Sequence, residues 1–365
     1  MFGSPLASIG SALALLLLGA LAAVAETSSW TGSVDPAAPI DRKGSGAKPS
    51  SGKLIKTVPQ GGDAPAPAAP PKASSTHAKQ SPQSDDAAYE AFDQGKYITA
   101  LQLALKAAER GEPQAYTLVG RIYADGLGTS KNAKLAAQWY ARAAELGDAE
   151  AMFAYGVMLA AGQEGIKQDR GAAARYFEAA AATKHAPANY NLALLFLTGD
   201  GKPENPHRAF MHMRFAAEAG VVSAQYDLGT MYATGQGTEH NAFEAAKWIG
   251  KAAAAGHVEA QIDYAVILFR GHGVPPDPKK GAEYFREAAD KGAATAQNRL
   301  ARCYAHGAGV EKSLAEAAKW NFIAKASGIE DKALEDMLSK LSRADKMKAQ
   351  AAAAQWRDRV LVGLE

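Results

Sequence analysis

At 365 residues the chain is long enough for two ordinary domains or for one extended repeat array. Lysine and arginine total 40 against 38 aspartate and glutamate, and that near-balance argues against nucleic acid or an anionic membrane as the main partner. The single cysteine, Cys303, excludes an intramolecular disulfide and a Cys-rich metal site; it reads as a small buried apolar residue.

In chain order, residues 1–25 read as a signal peptide. The apolar run Ala12 to Val24 is short for a spanning helix, and Ala23-Val24-Ala25 is a small-x-small cleavage site before Glu26. No Lys or Arg precedes the run, so an uncleaved N-terminal membrane anchor is the alternative. No later run of 18 apolar residues follows, and no membrane span is expected in the mature chain. Residues 26–84 hold nine of the 17 prolines with much Ser, Ala, Gly and Lys. Such a segment buries too little apolar surface to offset the entropy of ordering, so it reads as a disordered linker. Within it, Leu54 to Val58 is the one apolar patch; it reads as an incidental apolar cluster, with a short docking motif as the alternative.

Periodicity begins near Ala88. Small residues align at Gly120, Gly156, Ala193, Gly229, Ala265 and Ala301, with steps of 36, 37, 36, 36 and 36. A second column is Trp139, Tyr176, His212, Trp248, Tyr284 and Trp320; a third is Gly147, Lys184, Gly220, Gly256, Gly292 and Gly328. Three columns at one period define a repeat array. Each unit opens with an apolar stripe at helical spacing, as in Ala115, Leu118, Val119, Ile122 and Tyr123. A Gly-x-Gly turn then stops the first helix, for example at Gly271 and Gly273. A second helix follows, in which the Trp-column aromatic should fill the space between the two. The second unit departs with Gly162 and Gly165, which accounts for its extra residue. The expected layout is a partial repeat or cap at 85–112, six repeats over 113–329 and a charged helical cap at 330–365.

The motif Ala-x-x-x-Leu-Gly-x-x-Tyr, Gly-x-Gly, Ala-x-x-Trp-x-x-x-Ala-Ala-x-x-Gly, as it stands from Ala224 to Gly256, resembles the Sel-one-like repeat family. That family is a relative of the tetratricopeptide repeats, and the likeness covers roughly residues 88–330. The resemblance implies an all-α, right-handed superhelical solenoid of antiparallel helix pairs with a concave face. It also implies adaptor or regulatory roles, often at the bacterial envelope. The branch linked to β-lactam binding carries paired cysteines, which this chain lacks.

No reactive constellation departs from the template. The eight histidines are scattered, with no His-x-x-x-His spacing for a metal. The Gly-x-Gly turns lack the preceding strand of a phosphate cradle, and Ser50-x-x-Lys53 lies in the linker, where no oxyanion hole can form. Neither a cofactor nor catalysis is expected. What varies are two columns of the first helices. One runs Leu118, Ala154, Asn191, Asp227, Asp263, Arg299; the other Arg121, Val157, Leu194, Thr230, Val266, Arg302. They are expected to share the face that lines the concave groove. Asn191, Asp227, Asp263, Thr230, Arg299 and Arg302 are therefore the candidate partner-binding residues. Being simply solvated is the alternative. The expected partner is another protein: an envelope sensor, a secretion component, or a cell-wall or polysaccharide enzyme. The competing readings are an envelope enzyme acting on peptidoglycan or a β-lactam, and a module binding a glycan or peptide.

Overall fold

The computed structural model describes residues 83–162 and 165–362; the expected signal peptide and nearly all of the expected linker lie outside them. The described residues are helical throughout and fall into two compact units, one ending at Ala219 and one beginning at Gly220. The first contains α1 (Gln83–Asp93), α2 (Tyr97–Glu109), α3 (Pro113–Asp125), α4 (Ala133–Glu145), α5 (Ala149–Ala161), α6 (Arg170–Ala182), α7 (Ala186–Thr198) and α8 (Pro206–Glu218). The second contains α9 (Val222–Thr234), α10 (Ala242–Ala254), α11 (Val258–Arg270), α12 (Pro278–Asp290), α13 (Ala294–His306), α14 (Leu314–Ala326), α15 (Lys332–Ser339) and α16 (Arg343–Val362). Within each unit, sequential helices pack as hairpins and each hairpin packs on the next, the arrangement of an α-solenoid. Among the described residues no helix is long and apolar enough to cross a membrane.

Equal helix length makes the stacking possible. Every helix from α2 to α14 has 13 residues, about 20 Å of rise, so successive hairpins present faces of the same height. Backbone chemistry at the ends sets that length. First helices stop at a left-handed residue such as Gly126, Gly199, Gly235, Gly271 or Gly307. Each second helix starts at an Asx or Ser cap: Asn132, Asp169, Asn205, Asn241, Asp277 and Ser313 all accept a backbone N–H three residues on. The same cap residues donate their own N–H to the preceding helix, as Asn241 does to the Tyr232 carbonyl at 2.9 Å. The column ending at Gly328 is left-handed throughout. Lys184, with φ of 67°, is the one described non-glycine residue in that region.

The small residue of each first helix admits its partner. A Cβ on Gly229 would lie 2.6 Å from Ile249 Cγ1 and 2.9 Å from the Ile249 nitrogen. Close approach also explains the second glycine of the turn. At Gly273 a Cβ would run into the Ala242 carbonyl at the head of α10.

The aromatic column behaves differently from expectation. Trp139, Trp248 and Trp320 are buried, but Tyr176, His212 and Tyr284 are only half-buried. The residue after each of them fills the hairpin: Tyr140, Phe177, Met213, Ile249 and Phe285 are all buried. One step along a helix is a rotation of 100°, which moves the contact from the seam to the centre of the pair. At the C-terminal end, Leu334, Leu338, Ala349, Ala353 and Trp356 cover the last hairpin. The Trp356 ring meets Trp320 edge-on at 5.6 Å, and its indole N–H donates to Asp290. Cys303 is buried in α13.

Candidate functional site

In four of the six repeats a junction joins the first helix to the helix that opens the next unit. The residue two after the leading alanine meets the N-cap residue of that helix, and the two positions are chemically matched. Thr117 Oγ1 donates to Asp148 Oδ1 at 2.9 Å. Phe153 packs on His185 with ring centroids 4.9 Å apart, and Tyr226 stacks on His257 at the same distance. Asn298 Nδ2 donates to Asp331 Oδ2 at 3.0 Å. The N-cap residues Asp148, His185, His257 and Asp331 also cap their own helices. One side chain thus closes a helix end and a repeat interface together.

The richest of these junctions lies in the second unit. The Tyr226 hydroxyl donates to Asp263 Oδ2 at 2.8 Å, and the Tyr226 ring lies against His257. His257 Nδ1 accepts the Ala260 N–H at 3.3 Å, which a neutral imidazole does and an imidazolium cannot. Burial holds the His257 pKa below its usual value, in keeping with that role. Burial raises the Asp263 pKa from 3.8 to about 7, more than the Tyr226 hydrogen bond lowers it, and the Glu259 charge pushes it further up. Burial likewise raises the Tyr226 phenol well above its usual value, with the Asp263 charge adding to it. Toward α12, Gln261 Nε2 donates to Glu287 at 2.6 Å, and Lys291 Nζ reaches the Gly256 carbonyl at 2.8 Å. Glu259 is exposed and Asp227 half-buried. In the first unit, His185 Nε2 meets Glu150 at 3.0 Å, and that hydrogen bond lowers the Glu150 pKa.

The six sequence candidates separate by burial. Asn191 is half-buried, and its Nδ2 donates to the Pro187 carbonyl at 3.0 Å. Asp227 and Asp263 are half-buried on the first-helix side of the second unit. Thr230, Arg299 and Arg302 do not line an open face, contrary to expectation: they are 1%, 3% and 7% exposed. Thr230 returns its hydroxyl to the Tyr226 carbonyl. Arg302 Nε pairs with Asp331 at 2.6 Å, in the corner where α13 meets the head of α15. For Arg299 and Arg302 the physical reason is the cap, since α15 and α16 cover the last hairpin; Thr230 and Val266 of the second column are buried within the stack itself. Desolvation would raise the Asp331 pKa, but the hydrogen bonds from Arg302 and Asn298 and the Arg302 charge outweigh it and hold it below 3.8.

Tyr226 and His257 escaped the sequence reading because each, taken alone, looks like template variation. Reading the two columns jointly would have exposed them. Thr117/Asp148, Phe153/His185 and Tyr226/His257 are like-with-like pairs at equivalent positions of the first, second and fourth repeats.

The Tyr226–Asp263 hydrogen bond and the Tyr226–His257 stack hold two helices together. Among the described residues no three His, Cys, Asp or Glu side chains gather at metal-binding distance. Their geometry is that of a repeat interface with a polar outer face, which defines the class: a helical-repeat interaction module.

Comparison with known proteins assigns the family. The Sel1 repeat model matches residues 94–112, 113–148, 149–183, 186–221, 222–257, 258–292 and 294–320, and the chain belongs to the Sel1 repeat family. Repeats of this kind mediate protein–protein interaction. A Sel1 repeat protein from Oxalobacter formigenes is 30% identical, with a TM-score of 0.59 over 67% of this chain and 97% of that one. A protective antigen of uropathogenic Escherichia coli with an SLR fold is 24% identical, with a TM-score of 0.64 over 74% of this chain and 61% of that one; it supports the fold alone. No match was found among curated proteins.

Proposed function

We propose that this chain is a non-catalytic scaffold of the bacterial cell envelope, exported on residues 1–25, that holds a partner protein against the first-helix face of its repeats. The observation that carries the reading is the division of labour within the second unit. Template residues such as Gly229, Ile249 and Trp248 are spent on the stack. Glu259 is exposed and Asp227 half-buried, and both charges lie close enough to the junction to raise the Tyr226 pKa. A rigid polar face on stacked helices presents its charges at fixed spacing, which favours a partner with matching basic groups.

The test is capture from an envelope fraction by the full chain, comparing wild type with Asp227→Asn/Glu259→Gln. Asp263 is left intact because Tyr226 depends on it. Loss of a crosslinked partner with an unchanged melting temperature supports the reading. Equal capture by both proteins refutes the assignment of the face, and hydrolysis of peptidoglycan or a β-lactam by the purified chain refutes the non-catalytic role.

A further inference from the structure

The last hairpin breaks the core rule of the other five. The column Tyr140, Phe177, Met213, Ile249, Phe285 continues as Asn321, which is 5% exposed like its apolar counterparts. Its Oδ1 is buried without a hydrogen-bond partner. A buried amide oxygen without a partner costs stability, and a bound group that donates to it would recover that cost. Asn321 lines a cleft of about 310 Å³ between α14, α15 and α16. Phe322, Leu338 and Leu341 supply its apolar wall, with Lys325 and Lys346 on its polar side.

We propose that this cleft binds a short peptide segment in which one apolar side chain is flanked by acidic residues. The volume accommodates one large side chain with its adjoining backbone. A primary amide carries a donor and an acceptor side by side, the complement of a peptide group. Charge selects the flanks. Lys325 is already paired with Glu335 at 2.7 Å, whereas Lys346 Nζ is held only by the Ser339 carbonyl at 2.6 Å. Lys340 and Arg343 stand exposed on the same turn. The turn's one carboxylate, Asp345, accepts the Ser342 hydroxyl at 2.7 Å. Three cations against one engaged carboxylate favour an acidic occupant. The cleft is built from different elements than the Asp227–Glu259 face, so the two assignments stand or fall separately.

The experiment titrates the isotope-labelled full chain with acetyl-Glu-Leu-Glu-amide and follows the Asn321 side-chain amide by NMR. Acetyl-Lys-Leu-Lys-amide and acetyl-Glu-Ser-Glu-amide are the controls. Saturable shifts are expected with the first peptide at millimolar concentration, and at least about tenfold weaker binding with either control. Asn321→Leu replaces the unpaired amide with a side chain of similar size. It should abolish binding, read from the backbone amides of 338–346, while the melting temperature stays at or above wild type. Lys346→Glu, on the surface, should also abolish binding and carries the test if the core variant folds poorly. No saturable shift, equal binding by Asn321→Leu, or preference for the lysine peptide overturns the proposal. So does a concentration-dependent shift without peptide, which would show a second copy of the chain in the cleft.

Discussion

Asp263→Asn isolates the titration of the Tyr226 junction. In the folded protein the Asp263 carboxyl titrates at about 7, against 3.8 in an unperturbed chain. Between those values the folded state keeps a proton that the unfolded state has released, so stability falls as pH rises through the window and levels off above about 7. At about 1.4 kcal/mol per pH unit, the loss amounts to at most about 4 kcal/mol by pH 8. The asparagine variant keeps an oxygen that accepts from the Tyr226 hydroxyl, and it cannot ionise. Urea unfolding followed by circular dichroism should therefore give nearly equal midpoints for the two proteins at pH 4. The variant should become the more stable one as pH rises to 8. Asp263→Ala, by contrast, strands the Tyr226 hydroxyl, which should cost about 1–3 kcal/mol at low pH, where Asp263 is otherwise neutral. Parallel curves for wild type and the asparagine variant from pH 4 to 8 would refute the reasoning, because Asp263 would then be solvated rather than held by the junction.

Two further perturbations test the structure. Arg302→Ala leaves the Asp331 carboxylate in its buried corner without a counter-charge and should cost about 3–5 kcal/mol; hydrogen exchange should show residues 331–341 opening first, and unchanged protection there would contradict the pairing. Lys184→Gly relieves a non-glycine residue at φ of 67° and should raise stability by up to about 1 kcal/mol, read as a higher thermal midpoint.

The helix pairs, their 36-residue period and the turn positions were legible in the residues alone, because the forces behind them are local. Gly271 and Gly307 announce a left-handed backbone wherever they stand in the fold, and the stripe from Ala115 to Tyr123 announces a helix with one apolar side. The place of Lys184 in a glycine column was visible for the same reason. The candidate face was less legible. A column of variable residues says that the template does not dictate them, and says nothing of what covers them. Asp227 stays half-buried, while Arg302, at the equivalent of Thr230 two repeats on, lies against an Asp331 that is 29 residues away. Asp263 reads as a surface carboxylate until the Tyr226 hydroxyl, 37 residues earlier, is seen to reach it. Asn321 reads as one more polar substitution until the cap leaves a cleft above it. Burial and pairing depend on which neighbour packs where, and only the tertiary structure decides that.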